Sequence, residues 1–122
     1  MKAEFVIYVL FIHWIADFVF QDDETALKKS SNVWYLAFHS INYTAVLCVG
    51  LFWWLYLNEL PYTKAIPTLF AINCSLHMFI DGITSRINAY LYGKARHWFF
   101  VSVGFDQFLH YVVLFWSLQE IL

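Results

Sequence analysis

The stretch AIPTLFAINCSLHMFIDGITS, residues 65–85, decides the fold. Asp81 is its only charged residue, and its length is close to the ~20 residues an α-helix needs to cross hydrocarbon. Yet Asn73, His77, Asp81 and Ser85 recur in it at steps of four, which aligns them on one helical face.

Outside this stretch the chain keeps the same character. It has 122 residues, 61% hydrophobic, 22% aromatic and 13% charged, too apolar for an ordinary water-soluble domain of that length. Three more apolar segments lie near residues 3–20, 33–57 and 99–121. The expectation is a single domain over residues 1–122: an all-α, polytopic membrane protein built as a four-transmembrane-helix bundle. In the first connection, QDDETALKKSSN, Asp22, Asp23 and Glu24 precede Lys28 and Lys29, an order that suits the dipole of a short interfacial helix after the first crossing. His13 and Asp17 in the first segment argue against a cleaved signal peptide. Cys48 and Cys74 lack CxxC spacing and read as small buried side chains. A net charge of −2 offers no reason to expect a nucleic-acid partner.

Crossings that alternate in direction collect Lys28, Lys29, Arg86, Lys94 and Arg96 on one side, against Lys2 and Lys64 on the other. The positive-inside rule assigns the first group to the cytoplasm of an inner or plasma membrane, with both termini outside. Aromatic belts agree, with Trp34, Tyr35, Tyr90, Tyr92 and Trp98 at the inner interface and Trp53, Trp54, Tyr56, Tyr62 and Trp116 at the outer.

Every segment carries polar residues at helical spacing: His13, Asp17 and Gln21 in the first, His39 with Asn42 and Tyr43 in the second, Ser102, Asp106 and His110 in the fourth. Because direction reverses at each crossing, His13, Asp17, His39, His77, Asp81, Asp106 and His110 all fall in the cytoplasmic half, on the order of 5 to 18 Å below the surface at ~1.5 Å per residue. Each carboxylate would cost ~2.5 to 3.5 kcal/mol at mid-helix if unpaired. A divalent cation compensates directly, since imidazole nitrogen and carboxylate oxygen are its ligands and HxxxD or DxxxH turns both toward one centre. The seven residues supply enough ligands for one or two ions, zinc foremost, with manganese or iron also suited. A metal-free network of His and Asp pairs is the plainer reading, and bis-His haem would leave the three Asp unexplained.

Three functions follow from that layer. The favoured one is a metal-dependent hydrolase of a lipid or lipid-linked phosphoester, with Asp17, Asp81 and Asp106 as catalytic carboxylates and Gln21, Ser85, Arg86 and Arg96 toward the substrate. Arg86, Lys94 and Arg96 are explained by topology alone, yet the same charges would draw an anionic headgroup. The second is a divalent-metal or proton carrier, for which a homo-oligomer could supply further walls. The third is a non-catalytic component of a larger membrane assembly.

The motifs HWIADFVFQDDETALKKS, LHMFIDGITSRINAYL and DQFLH, with the His39 segment between the first two, occur in order. Together they resemble the small bacterial and phage membrane proteins catalogued as domain of unknown function 3307, over nearly the whole chain. The resemblance implies no agreed activity, but it supports His13, Asp17, Gln21, His39, His77, Asp81, Asp106 and His110 as motif residues. More distantly the chain is similar to membrane-bound metal-dependent hydrolases, which also hold His and Asp in transmembrane helices.

Overall fold

A computed structural model describes residues 2–122, and among them every regular element is helical. Helix α1 (Ala3–Trp14) runs directly into a π-helical turn, Ile15–Val19. Helix α2 (Asp23–Lys28) is the short helix expected from the acidic-then-basic order of the first connection. Helices α3 (Val33–Leu57), α4 (Ala65–Leu91) and α5 (Arg96–Ile121) follow.

Local chemistry explains the boundaries. Asp22 caps α2, its Oδ1 accepting the Thr25 N–H at 2.6 Å, which satisfies a donor that the helix itself leaves free. The Asn32 side chain does the same for Trp34 at the start of α3. Pro67 falls in the first turn of α4, where its missing N–H costs nothing. Gly93, at φ +73°, makes the turn into α5 in the left-handed region that side chains avoid.

Three helices, α3, α4 and α5, are long and apolar enough to cross a membrane. The fourth span expected near residues 3–20 does not reach that length. Its α-helix stops after 12 residues, and the π turn that continues it ends at Val19, so the element covers ~25 Å of a ~30 Å core. The third apolar segment, in contrast, runs as helix beyond residue 85 to Leu91.

α3 packs on α4 and α4 on α5, while α1 and its π turn lie against α3. The approach of α1 to α3 is close: a Cβ added at Gly50 would stand 2.7 Å from Ile12 Cγ2, and the Tyr8 hydroxyl donates to the Gly50 carbonyl at 2.8 Å. Phe5, Val9, Leu47, Leu51, Leu55, Leu69, Leu114 and Leu118 fill one half of the interior with hydrocarbon. The outer surface is equally apolar, with Phe79 66% exposed only two residues from His77, which is 1% exposed. Polar groups inside and large apolar groups outside is the pattern of a helix bundle solvated by lipid.

Candidate metal centre

The other half of the interior is polar. His13, Asp17, His39, His77, Asp81, Asp106 and His110 are all buried, and they form one contiguous layer contributed by the α1–π unit, α3, α4 and α5. The steps of four in α4 and α5 act as expected, since His77 and Asp81, and Asp106 and His110, each face inward one turn apart. In the first element the geometry differs. The widened turn falls on residues 15–19, and Asp17 reaches across to α3: its Oδ1 accepts from His39 Nε2 at 3.1 Å, whereas His13 Nε2 stands 4.0 Å from Oδ2. Such π turns often occur where a helix must re-aim a functional side chain.

Two triads have ligand atoms within 4.8 Å of one another, Asp17–His39–His77 and His77–Asp81–His110, and they share His77. His39 Nε2 also lies 3.3 Å from Asp81 Oδ2. His77 Nε2 lies 3.8 Å from Asp17 Oδ1 and 3.6 Å from Asp81 Oδ2, and His110 Nε2 lies 3.7 Å from Asp81 Oδ1. Ligands ~2.1 Å from a tetrahedral ion stand ~3.4 Å apart, and these nitrogen–oxygen separations bracket that edge.

Two imidazoles with unpartnered nitrogens carry the most information. His110 Nδ1 sits 2.8 Å from the carbonyl of Asp106, to which it must donate, so in the neutral ring Nε2 carries the lone pair, toward the Asp81 carboxylate. His77 has no hydrogen-bond partner on either nitrogen although both are buried, and Tyr43 stacks on its ring with centroids 3.9 Å apart, which fixes its plane. An acceptor facing an acceptor in a dry interior is unfavourable unless a cation or proton lies between them.

His13 and Asp106 belong to neither triad. Gln107 is the reason. Its Nε2 donates to Asp17 Oδ2 at 2.9 Å and to Asp106 Oδ2 at 3.3 Å, which turns its Oε1 toward His13 Nε2 at 3.1 Å. His13 Nε2 therefore donates, and Nδ1 accepts the Tyr43 hydroxyl at 2.9 Å, so both nitrogens are engaged. Asp106 in addition accepts from the Thr84 hydroxyl. These groups hold Asp17 and Tyr43 in place from behind.

Lys29 is the other group that sequence reasoning missed, having been read as a marker of orientation and as a dipole partner of the short helix. Its Nζ donates to Asp81 Oδ2 at 2.7 Å, with the side chain 16% exposed. Its position one step beyond α2, whose fold back over the bundle cannot be read from spacing, explains the omission. Beside it, Glu24 accepts from Lys28 and from the Tyr35 hydroxyl, and those bonds hold its carboxyl below the usual range.

The residues expected to meet substrate are dispersed. Ser85 is buried one turn beyond Asp81, its Oγ without a partner. Gln21 is half-buried after the π turn, with Oε1 unpartnered. Arg86 is exposed and donates weakly to the Ser30 carbonyl at 3.4 Å, and Arg96 is exposed at the start of α5, in a recess with Lys94.

With the layer defined, comparison with known proteins gives one result. The family described as a protein of unknown function, DUF3307, matches residues 5–121. The chain belongs to this family. Neither the curated proteins nor the solved structures give a match. The DUF3307 match takes in all four elements that build the polar layer.

Proposed function

We propose that this DUF3307 chain is an integral membrane protein whose buried layer binds one divalent cation, zinc foremost, and uses it to hydrolyse a lipid or lipid-linked phosphoester. The observation that carries the metal reading is the pair of buried, unpartnered imidazole nitrogens on His77 and His110 aimed at carboxylate oxygens 3.6 to 3.8 Å away. Each triad, Asp17–His39–His77 or His77–Asp81–His110, offers two imidazoles and one carboxylate, three donors of the kind a four-coordinate divalent ion takes with its last position open.

Charge favours one ion over two. Asp17, Asp81 and Asp106 bring three negative charges and Lys29 one positive, so a single divalent cation with neutral imidazoles leaves the layer uncharged. A second would leave it strongly positive in a low-dielectric interior.

A bound cation supplies Lewis acidity toward a phosphoester oxygen and toward water. Asp106, outside both triads, serves as general base, poised by Thr84 and Gln107. The exposed cations Arg86, Lys94 and Arg96 draw the anionic substrate toward the same end of the bundle. The α1–π unit inserts beside α3 as a fourth, shorter crossing, with both termini outside.

Carriage is less well supported. The half of the interior beyond the layer is closed by Val9, Leu47, Leu51, Leu69, Leu114 and Leu118, where the cavity holds only about 10 Å³. The test is elemental analysis of protein purified without chelator, followed by phosphate release from lipid substrates by wild type, Asp81→Ala and Asp106→Asn. About one divalent ion per chain in wild type and Asp106→Asn, with turnover lost in both variants, is the expected result. Absence of metal, or equal turnover by all three proteins, overturns the reading.

A further inference from the structure

A second feature adjoins the layer. Between α2 with its following loop, the last turns of α4 and the first turns of α5 runs a cleft of about 350 Å³. Leu27, Ala89, Phe99 and Val103 make its walls apolar. Polar groups break that lining: Lys29, Ser30, Ser85 and Asn88, with the Tyr92 hydroxyl. Ser85 is 8% exposed, and its Oγ and the Asn88 Oδ1 are both buried with no hydrogen-bond partner. One turn apart on α4, both residues line this cleft, and a ligand hydroxyl reaching either atom would satisfy it.

The cleft is also connected. Ser85 follows Asp81 by one turn, and Lys29 Nζ is bonded to Asp81, so its inner end is the edge of the polar layer. At its outer end Tyr92 and Phe99 also line the recess that holds Lys94 and Arg96. Apolar walls, a paired hydroxyl and amide, and cations at both ends describe an amphiphile with a negatively charged, hydroxyl-bearing head.

We infer that this cleft is the lipid-binding site of the protein, and that its occupant is an anionic phospholipid with a hydroxylated head, entering sideways from the leaflet with its hydroxyl on Ser85 and Asn88. The inference names the class of molecule that reaches the metal layer and rests on the membrane reading above, but it requires neither metal nor hydrolysis. Lys29, between the head and Asp81, positions that carboxylate and attracts the lipid phosphate.

Native mass spectrometry of the detergent-solubilised full chain, titrated with phosphatidylglycerol or phosphatidylcholine, tests it, with metal content measured on the same samples. One phosphatidylglycerol should bind about tenfold more tightly than phosphatidylcholine. Val103→Trp, which fills the cleft, should abolish the preference, and the smaller change Ser85→Ala should weaken it about threefold to tenfold. Both variants should keep the wild-type metal content and helical circular dichroism. Glycerol phosphate, the head without chains, should fail to displace the lipid. Equal binding of the two lipids, binding indifferent to both variants, displacement by glycerol phosphate, or a dimer formed across this face in place of a lipid adduct each overturns the inference. Lipid preference without metal would overturn the metal centre and leave the cleft standing.

Discussion

Lys29 and Asp81 are separated by 52 residues and joined by a 2.7 Å ion pair at the edge of a layer of histidines and carboxylates. The pair ties the segment following α2 to the middle of α4 and places the layer's only ammonium among the described residues beside a proposed ligand. Breaking one partner of such a buried pair leaves an uncompensated charge, a cost of about 3 to 5 kcal/mol.

Lys29→Met should therefore lower the thermal midpoint of the metal-free protein substantially, while the midpoint with zinc added falls less. A divalent cation restores part of the charge balance that Lys29 supplied. Thermal unfolding in detergent, with chelator and with zinc, reads this directly. Equal losses in the two conditions would separate Lys29 from the cation site.

The triads rank the histidines. His77 belongs to both, whereas His13 has each nitrogen occupied by a neutral partner, Tyr43 or Gln107. His77→Ala should reduce metal content to background, and His13→Gln should retain metal with affinity weakened about 10- to 100-fold, the range for groups that orient ligands. Elemental analysis and competition with a chelating dye distinguish them. The reverse order would move the centre toward α1.

Gly50 reports the packing of α1 on α3. A Cβ there meets Ile12 at 2.7 Å, so Gly50→Ala should destabilise the fold by about 1 to 3 kcal/mol. Adding Ile12→Ala should recover part of that loss, because the two sites are in contact and not additive. A double variant as unstable as the sum of the singles would place the clash elsewhere.

Acid should fray α2. The backbone N–H of Thr25 holds the Asp22 carboxyl below its ordinary 3.8, and Lys28, then Tyr35, hold Glu24 below its ordinary 4.5. Groups depressed in the folded state contribute stability above those ordinary values and lose it as pH falls through the lowered ones. Helical chemical shifts over residues 23–28 should thus be constant from neutral pH to about 4.5 and decline below it. Asp22→Asn, which keeps a capping oxygen at every pH, should reduce the decline. Shifts unchanged down to strongly acidic pH would mean that α2 is held by other contacts.

Much of this molecule could be read from its residues. Apolar runs of helical length and polar residues at steps of four follow from local geometry, in which 3.6 residues per turn puts His77 beneath Asp81 whatever surrounds them. The reversal of direction at each connection likewise predicts that His39, Asp17 and Asp106 share one level. The shorter first element is a different matter, because hydropathy counts residues and does not register a hydrogen-bond shift at Ile15–Val19 that re-aims Asp17.

The sequence by itself determined which side chains are too costly to leave unpaired in an apolar interior, since that depends only on their chemistry. Tertiary structure alone decided their partners. Gln107 claims His13, Thr84 claims Asp106, Lys29 swings onto Asp81, and His77 and His110 keep unshared nitrogens toward carboxylates. Hydrogen bonds and ion pairs are settled by ångström-scale distances between different helices, and spacing along a single chain carries no record of those distances.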